Sequence, residues 1–248
     1  MKIIGIIPSR YASTRLPAKP LVDILGKSMI QRVYEQAKQS LLLTDVVVAT
    51  DDDRIASAVK SFGGIVRMTP SDIQSGSDRI ALVAREYDAD IVVNIQGDEP
   101  LISPLLIDQT IQVLIDDQQA VVGTAVKKTS AHQDVFNSNV VKVVLDKNNY
   151  ALYFSRSAVP YVRDAKKDEE WFLGTNFYKH FGIYVYRADF LQRFTMLDQS
   201  PLEAVEKLEQ LRILEHGFKI KCVVTEYDSF PVDTPEDLQK VILYLRSA

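Results

Sequence analysis

Short apolar runs separated by stretches of helical spacing dominate the first half of the chain. Residues 2–7 read as a buried strand around Ile3-Ile4-Gly5-Ile6-Ile7 and break at Pro8. Residues 28–40 place Met29, Ile30, Val33, Tyr34 and Ala37 on one helical face. Asp45 to Thr50 (DVVVAT) is a second buried strand, followed by Asp51-Asp52-Asp53 and a helix that closes at Gly63-Gly64. Ile65 to Thr69 is a short strand, and the polar loop from Pro70 to Asp78 leads into a helix at about 79–87. Asp90 to Gln96 (DIVVNIQ) is another buried strand, ending at Gly97-Asp98-Glu99-Pro100. A helix over Ser103 to Asp117 and a strand over Ala120 to Lys127 follow. Fully apolar strands alternating with helices predict βαβ units and a mostly parallel sheet flanked by helices, an α/β fold.

The pattern changes after residue 130. Val140 to Asp146 and Tyr150 to Ser155 flank Lys147-Asn148-Asn149, which predicts a hairpin. Residues 164–176 are charged and polar and read as an exposed loop, and Gly182 to Arg187 reads as a strand. Ser200-Pro201-Leu202-Glu203 is a capping box with proline at the first helical position, opening a helix to about His216 with Gly217 as its stop. Ile220 to Tyr227 is the last long strand, and Thr234-Pro235-Glu236-Asp237 caps a final helix in the same way. With no internal repeat or low-complexity linker, the simplest account is one domain over 1–248, with a β-rich excursion at about 130–190.

The 248 residues, 46% of them hydrophobic, suffice for a sizeable core. A net charge of −4 gives no bulk electrostatic case for nucleic acid or an anionic membrane. The single cysteine, Cys222, excludes an internal disulfide and a cysteine-based zinc site. No apolar stretch reaches the length of a membrane span, and the N-terminal run is too short for a signal peptide, so a cytoplasmic setting is expected.

Candidate chemistry gathers at strand ends. The loop from Pro8 to Leu21 carries Arg10, Arg15 and Lys19 with no acid among them. A cationic, hydroxyl-bearing loop beyond the carboxyl end of a buried strand suits phosphates. It has neither the GxxxxGK[ST] nor the GxGxxG spacing. Gly97 permits close backbone approach beside Asp98, and Asp233 is spare because Thr234 caps the helix. Two such carboxylates near a polyphosphate suit Mg²⁺. Asp51-Asp52-Asp53 reads instead as acids complementing a helix dipole. His132, His180 and His216 are too scattered for a histidine metal site. His216 falls at a helix end, and His180 stays a site candidate.

Eight strings carry a more specific signal: IIPSRYASTRLPAKPL (6–21), VATDDDRI (48–55), PSDIQSGSDR (70–79), VNIQGDEPLI (93–102), VKVVLDKNNYALYFSRSAVP (141–160), HFGIYVYR (180–187), SPLEAVEKLEQLRILEHG (200–217) and VDTPEDL (232–238). In this order they resemble the 3-deoxy-manno-octulosonate (Kdo) cytidylyltransferases, within the sugar nucleotidyltransferase superfamily. The resemblance implies a Rossmann-like sheet of the nucleotide-diphospho-sugar transferase type with a small β-rich dimerisation and sugar-binding excursion. It also implies transfer of CMP from CTP to Kdo with Mg²⁺, a cytoplasmic homodimer, and a place in lipopolysaccharide synthesis.

Position by position, the resemblance assigns Pro8, Arg10, Ser13, Arg15, Lys19, Ser75, Gly76, Arg79 and Gln96 to the nucleotide. Arg10 and Lys19 would stabilise the leaving pyrophosphate, and Asp98 and Asp233 would hold Mg²⁺. Arg156, His180, Tyr184, Glu209 and Gln210 match the acid-sugar pocket, where arginine suits a carboxylate. Ile73 stands where many members carry histidine, and Ala18 where glycine is frequent. Activation of an 8-amino analogue of Kdo or a sialic acid, or a non-catalytic nucleotide-binding role, are the alternative readings.

Overall fold

The structure, a computed structural model, describes every residue except Thr14, Gln74 and Ala248, and only the backbone of Asp168 and Glu169. β1 (Ile3–Ser9) leads through a 3-10 turn (Lys19–Leu21) to β2 (Asp23–Ile24), β3 (Lys27–Ser28) and α1 (Met29–Ala37). β4 (Asp45–Thr50), α2 (Asp53–Ser61), β5 (Ile65–Met68), α3 (Gly76–Ala84), β6 (Ile91–Asn94) and α4 (Pro104–Asp116) follow. Next are β7 (Val122–Thr129), α5 (His132–Phe136), β8 (Lys142–Leu145), β9 (Ala151–Ser155), a 3-10 segment (Asp168–Leu173) and β10 (Phe177–Arg187). α6 (Ala188–Phe194), α7 (Pro201–Glu206), α8 (Gln210–Glu215), β11 (Ile220–Val224) and α9 (Pro235–Ser247) complete the order. The chain forms two compact units, one of Met1–Asp108, Val185–Thr195 and Asp228–Ala248, the other of Gln109–Tyr184 and Met196–Tyr227.

In the first unit, β6, β1, β4 and β5 lie side by side and parallel, with Ile6 opposite both Val47 and Asn94. Ile4, Ile6, Ile7 and Val46 to Ala49 have no accessible surface. Burial on both faces is why these strands read as unbroken apolar runs. Ser28, Asp52 and Ser75 each cap a following helix by accepting a backbone N–H. A satellite cluster of Leu16, Ile24, Met29, Val232 and Val241 ties the loop after β1 to α9. Each such side chain contributes roughly 1.5–3 kcal/mol when fully buried, so the cationic loop is anchored at Leu16.

In the second unit β11 runs parallel to β7, with Ile220 opposite Val122. β8 pairs antiparallel with β9 and β10. The predicted hairpin forms: Asp146 accepts from the backbone N–H groups of Asn148 and Tyr150, and Asn149 takes a left-handed φ of 60°. Asp117 accepts from the Tyr150 hydroxyl at 2.5 Å and pairs with Lys221 at 3.1 Å. The Tyr150 bond, ahead of Lys221, holds the Asp117 carboxyl down at about 2, and the same bond pushes Tyr150 up to about 12.

Several predicted boundaries move. The single helix expected to His216 is broken in two at Lys207, whose φ is 54°. α3 begins at Gly76, because Ser75 caps it, rather than near residue 79. The strand expected from Gly182 starts at Phe177, and the last strand stops at Val224 rather than Tyr227. The segment 164–176 is not all loop: its 3-10 turn brings Trp171 against Phe136, Tyr161 and Phe177. α5, α6 and the β2–β3 hairpin were not predicted.

Candidate active site

Parallel strands deliver their carboxyl ends to one edge. β1 ends at Ser9, and the segment after β6 carries Gln96, Gly97 and Asp98 beside it. A Cβ on Gly97 would lie 3.1 Å from the Pro8 carbonyl oxygen, so glycine lets the two segments approach. The result is a cavity of about 360 Å³. Of the predicted residues, Pro8, Arg10, Ser13, Arg15, Lys19, Gln96, Asp98 and Asp233 line it. Ser9, Ala12 and Pro20 line it as well. Their own side chains gave no signal; only their place in the loop after β1 could have found them.

Lys19 sits at the centre of this cavity's electrostatics. Its Nζ lies 2.7 Å from Asp98 Oδ2 and 2.8 Å from Asp233 Oδ1. Burial pulls the ammonium pKa down, but Asp98 and then Asp233 outweigh it and hold it above the ordinary lysine value. Arg15 adds a 3.2 Å contact to Asp233. Arg10 donates from Nη2 to the Ile73 carbonyl, which ties the first loop to the segment before α3. The Lys19 turn is entered through Ala18 at φ 53°, a left-handed conformation that favours glycine.

Backbone contacts fix the two carboxylates to each other. The Val232 N–H donates to the Asp98 carbonyl at 2.9 Å. Next to Asp98, the buried Glu99 carboxylate accepts from the Ser229 hydroxyl and from the Phe230 N–H at 3.2 Å. Burial, reinforced by Asp98, pushes Glu99 up to about 7. Glu99 was missed because a carboxylate beside Asp98 in a loop reads as solvated.

The other three residues expected at the nucleotide do not line the cavity. The Ser75 hydroxyl is engaged with Asp78, accepting from its N–H at 3.0 Å and donating to Oδ2 at 2.8 Å. Gly76 borders the Pro8 ring. Arg79 has no accessible surface and is paired with Asp51 at 2.9 Å and with Thr69. Asp51 is thus the counter-ion of Arg79, while Asp52 caps α2 and Asp53 lies in its first turn. Gln74 and Thr14, within two of the motifs, lie outside the described residues.

The five residues matched to an acid-sugar pocket all belong to the second unit. Arg156 follows β9, its Nε donating to the Glu206 carbonyl at 2.8 Å and Nη1 to the Ser138 carbonyl at 3.1 Å. His180 contacts Thr124 Oγ1 through Nε2 at 2.9 Å, and its ring is 5.3 Å from that of Tyr184. The imidazole keeps some exposed surface, yet its apolar surroundings desolvate it and push it down to about 3, so it is neutral at physiological pH. Glu209 precedes α8 and Gln210 opens it, largely buried. His216 ends α8 with Nδ1 2.9 Å from the Arg212 carbonyl oxygen, and His132 packs on Phe136.

Two carboxylates converging on one ammonium form an all-oxygen pair that a hard divalent cation would accept. Such a cation usually takes one or two carboxylates and completes its shell with phosphate and water. Among the described residues no group of three or more His, Cys, Asp or Glu is placed to hold a metal ion. Cys222 is buried, and its thiol is pushed up to about 12 by burial, so it is no nucleophile. Among the described residues no helix is long and apolar enough to cross a membrane.

Comparison with known proteins agrees along the whole chain. Residues 4–220 match the family model described as Cytidylyltransferase. A 3-deoxy-manno-octulosonate cytidylyltransferase of Geobacter metallireducens is 52% identical over 246 residues, covering 98% of this chain and 97% of that protein. One from Parabacteroides distasonis is 52% identical over 251 residues, covering 99% of this chain and 98% of that protein. The solved structure of a CMP:2-keto-3-deoxy-manno-octonic acid synthetase complexed with CTP superposes with a TM-score of 0.93 at 42% identity, covering 100% of this chain and 99% of that one. A putative glucose-1-phosphate thymidylyltransferase from Bacillus anthracis shares the fold alone, at a TM-score of 0.65 and 16% identity. The chain belongs to the cytidylyltransferase family, among the 3-deoxy-manno-octulosonate cytidylyltransferases.

Proposed function

We propose that the chain transfers CMP from CTP to Kdo, giving CMP-Kdo and pyrophosphate. The observation that carries this reading is the cavity beyond β1 and β6, lined by Arg10, Arg15 and Lys19, where Lys19 meets Asp98 and Asp233 and Arg15 meets Asp233. In the reaction the anomeric hydroxyl oxygen of the sugar bonds to the α-phosphorus in line. The bond from that phosphorus to the bridging oxygen breaks, pyrophosphate leaves with the electron pair, and the hydroxyl proton passes to solvent water. Arg10 and Lys19 neutralise charge on the departing group, and Ser13, Arg15 and Gln96 orient the nucleotide. Asp98 and Asp233 would hold Mg²⁺, which when bound supplies charge neutralisation at the phosphates.

Arg156 takes the sugar carboxylate, with His180, Tyr184, Glu209 and Gln210 around the sugar. His180 acts there as a neutral hydrogen-bonding group, since it is uncharged at working pH. The reading takes the chain as a cytoplasmic homodimer serving lipopolysaccharide synthesis, on the family resemblance. The test is pyrophosphate release from CTP and Kdo with Mg²⁺, repeated with Asp98→Ala and Asp233→Ala. Release should need both substrates, and each variant should lose activity by about 10³-fold or more. Near-normal turnover by Asp98→Ala would overturn the metal assignment.

A further inference from the structure

Lys142 lies on β8 with no accessible surface. A lysine in that position costs several kcal/mol unless its ammonium is satisfied. No carboxylate pairs with it among the described residues. Instead Nζ donates to three carbonyls, of Asn137 at 2.9 Å, Val140 at 2.7 Å and Arg156 at 2.5 Å. Its three protons are all used. Two of those carbonyls belong to the loop before β8, which also contains the Ser138 carbonyl that receives Arg156 Nη1.

Glu206 holds the other side of Arg156. Its Oε2 accepts the Arg156 N–H at 2.9 Å and its Oε1 the Ser155 hydroxyl at 2.6 Å. Its backbone carbonyl accepts Arg156 Nε. The peptide units on both sides of Arg156 are therefore fixed by opposite charges, and the guanidinium rests on carbonyls of the segments those charges hold. Only Nη2 has no hydrogen-bond partner among the described residues, and the residue is half-buried. Buried charges are poor stabilisers, so this arrangement is better explained by geometry than by stability.

We propose that Lys142 and Glu206 are positioning residues that lock Arg156 so that its guanidinium meets the carboxylate of the acid sugar. The proposal rests on the sugar-site reading of Arg156 given above. A staple that merely held the hairpin would affect stability and both substrates alike. The test is steady-state kinetics of Lys142→Met and Glu206→Gln, with CTP binding measured by calorimetry and Arg156→Ala as reference. The KM for Kdo should rise about ten-fold in each, while the KM and Kd for CTP stay within about two-fold. In Arg156→Ala the added Lys142→Met change should cost little more, because the two act as one unit.

A fall in melting temperature with Kdo kinetics unchanged, or equal losses for Kdo and CTP, would overturn the proposal. If Lys142→Met does not fold, Glu206→Gln keeps the shape and one acceptor, and decides the same comparison. If Arg156→Ala leaves the KM for Kdo unchanged, the sugar-site reading itself fails and the proposal falls with it.

Discussion

Lys19 is where the cavity's charges converge, since both of its carboxylates reach Nζ within 2.8 Å. Lys19→Met should lower kcat by about 10²–10³-fold, as loss of a donor aimed at developing charge does. Rapid-quench turnover would check it, and a loss below ten-fold would remove Lys19 from the chemistry. His180 gives a prediction about pH. Its folded pKa of about 3 lies below its ordinary value, so the unfolded state binds the extra proton as pH falls. Stability should drop below pH 6.5 by up to about 1.4 kcal/mol per pH unit, and be flat above it as far as this group is concerned. Urea unfolding at pH 7.5 and 5.5 should show a smaller loss in His180→Asn; parallel losses would contradict it. Ala18 holds a left-handed φ of 53°. Ala18→Gly should therefore stabilise by about 0.5–1 kcal/mol once the unfolded-state entropy of glycine is subtracted. A lower melting temperature would show that the backbone there is unstrained.

Helix ends and strand interiors differ in how much of themselves they reveal. The buried runs of β1, β4 and β6 were legible because parallel strands covered on both faces have no polar alternation to obscure them. Most of the cavity was legible for the same reason, since every lining residue but Asp233 belongs to the end of β1 or to the segments after β1 and β6. The break at Lys207 was not: Lys207, Leu208, Glu209 and Gln210 are all good helix formers, and nothing in their types announces a left-handed residue. The β2–β3 turn hides likewise, with Leu25 rather than Asn or Asp ahead of Gly26. Lys142 in a strand reads as solvent-facing, and only the loop folding over it, together with the residue that follows β9, supplies the three carbonyls. Arg212 binds Glu203 through both oxygens, at 2.6 and 2.8 Å, and so joins α7 to α8 across the break. Glu203→Ala should strip the largely buried Arg212 of its two short carboxylate bonds, leaving Glu209 at 4.0 Å, and cost about 3 kcal/mol. A cost below 1 kcal/mol by chemical denaturation would show that the break needs no such tie.

At the scale of the whole molecule, sequence, fold and relatives converge on one chemistry, CMP transfer from CTP to Kdo. The role proposed for Arg156 calls for a carboxylate on the sugar, which Kdo, its 8-amino analogue and the sialic acids all carry. The direct measurement is pyrophosphate release with product identified by mass. It uses purified protein, Mg²⁺ and CTP, and tests Kdo, 8-amino-Kdo and a sialic acid in parallel, with UTP as the base control. Release confined to CTP with Kdo, and formation of CMP-Kdo in equal amount, is the predicted result. Release with another sugar and not with Kdo, or no release with any pair while CTP still binds, would contradict it.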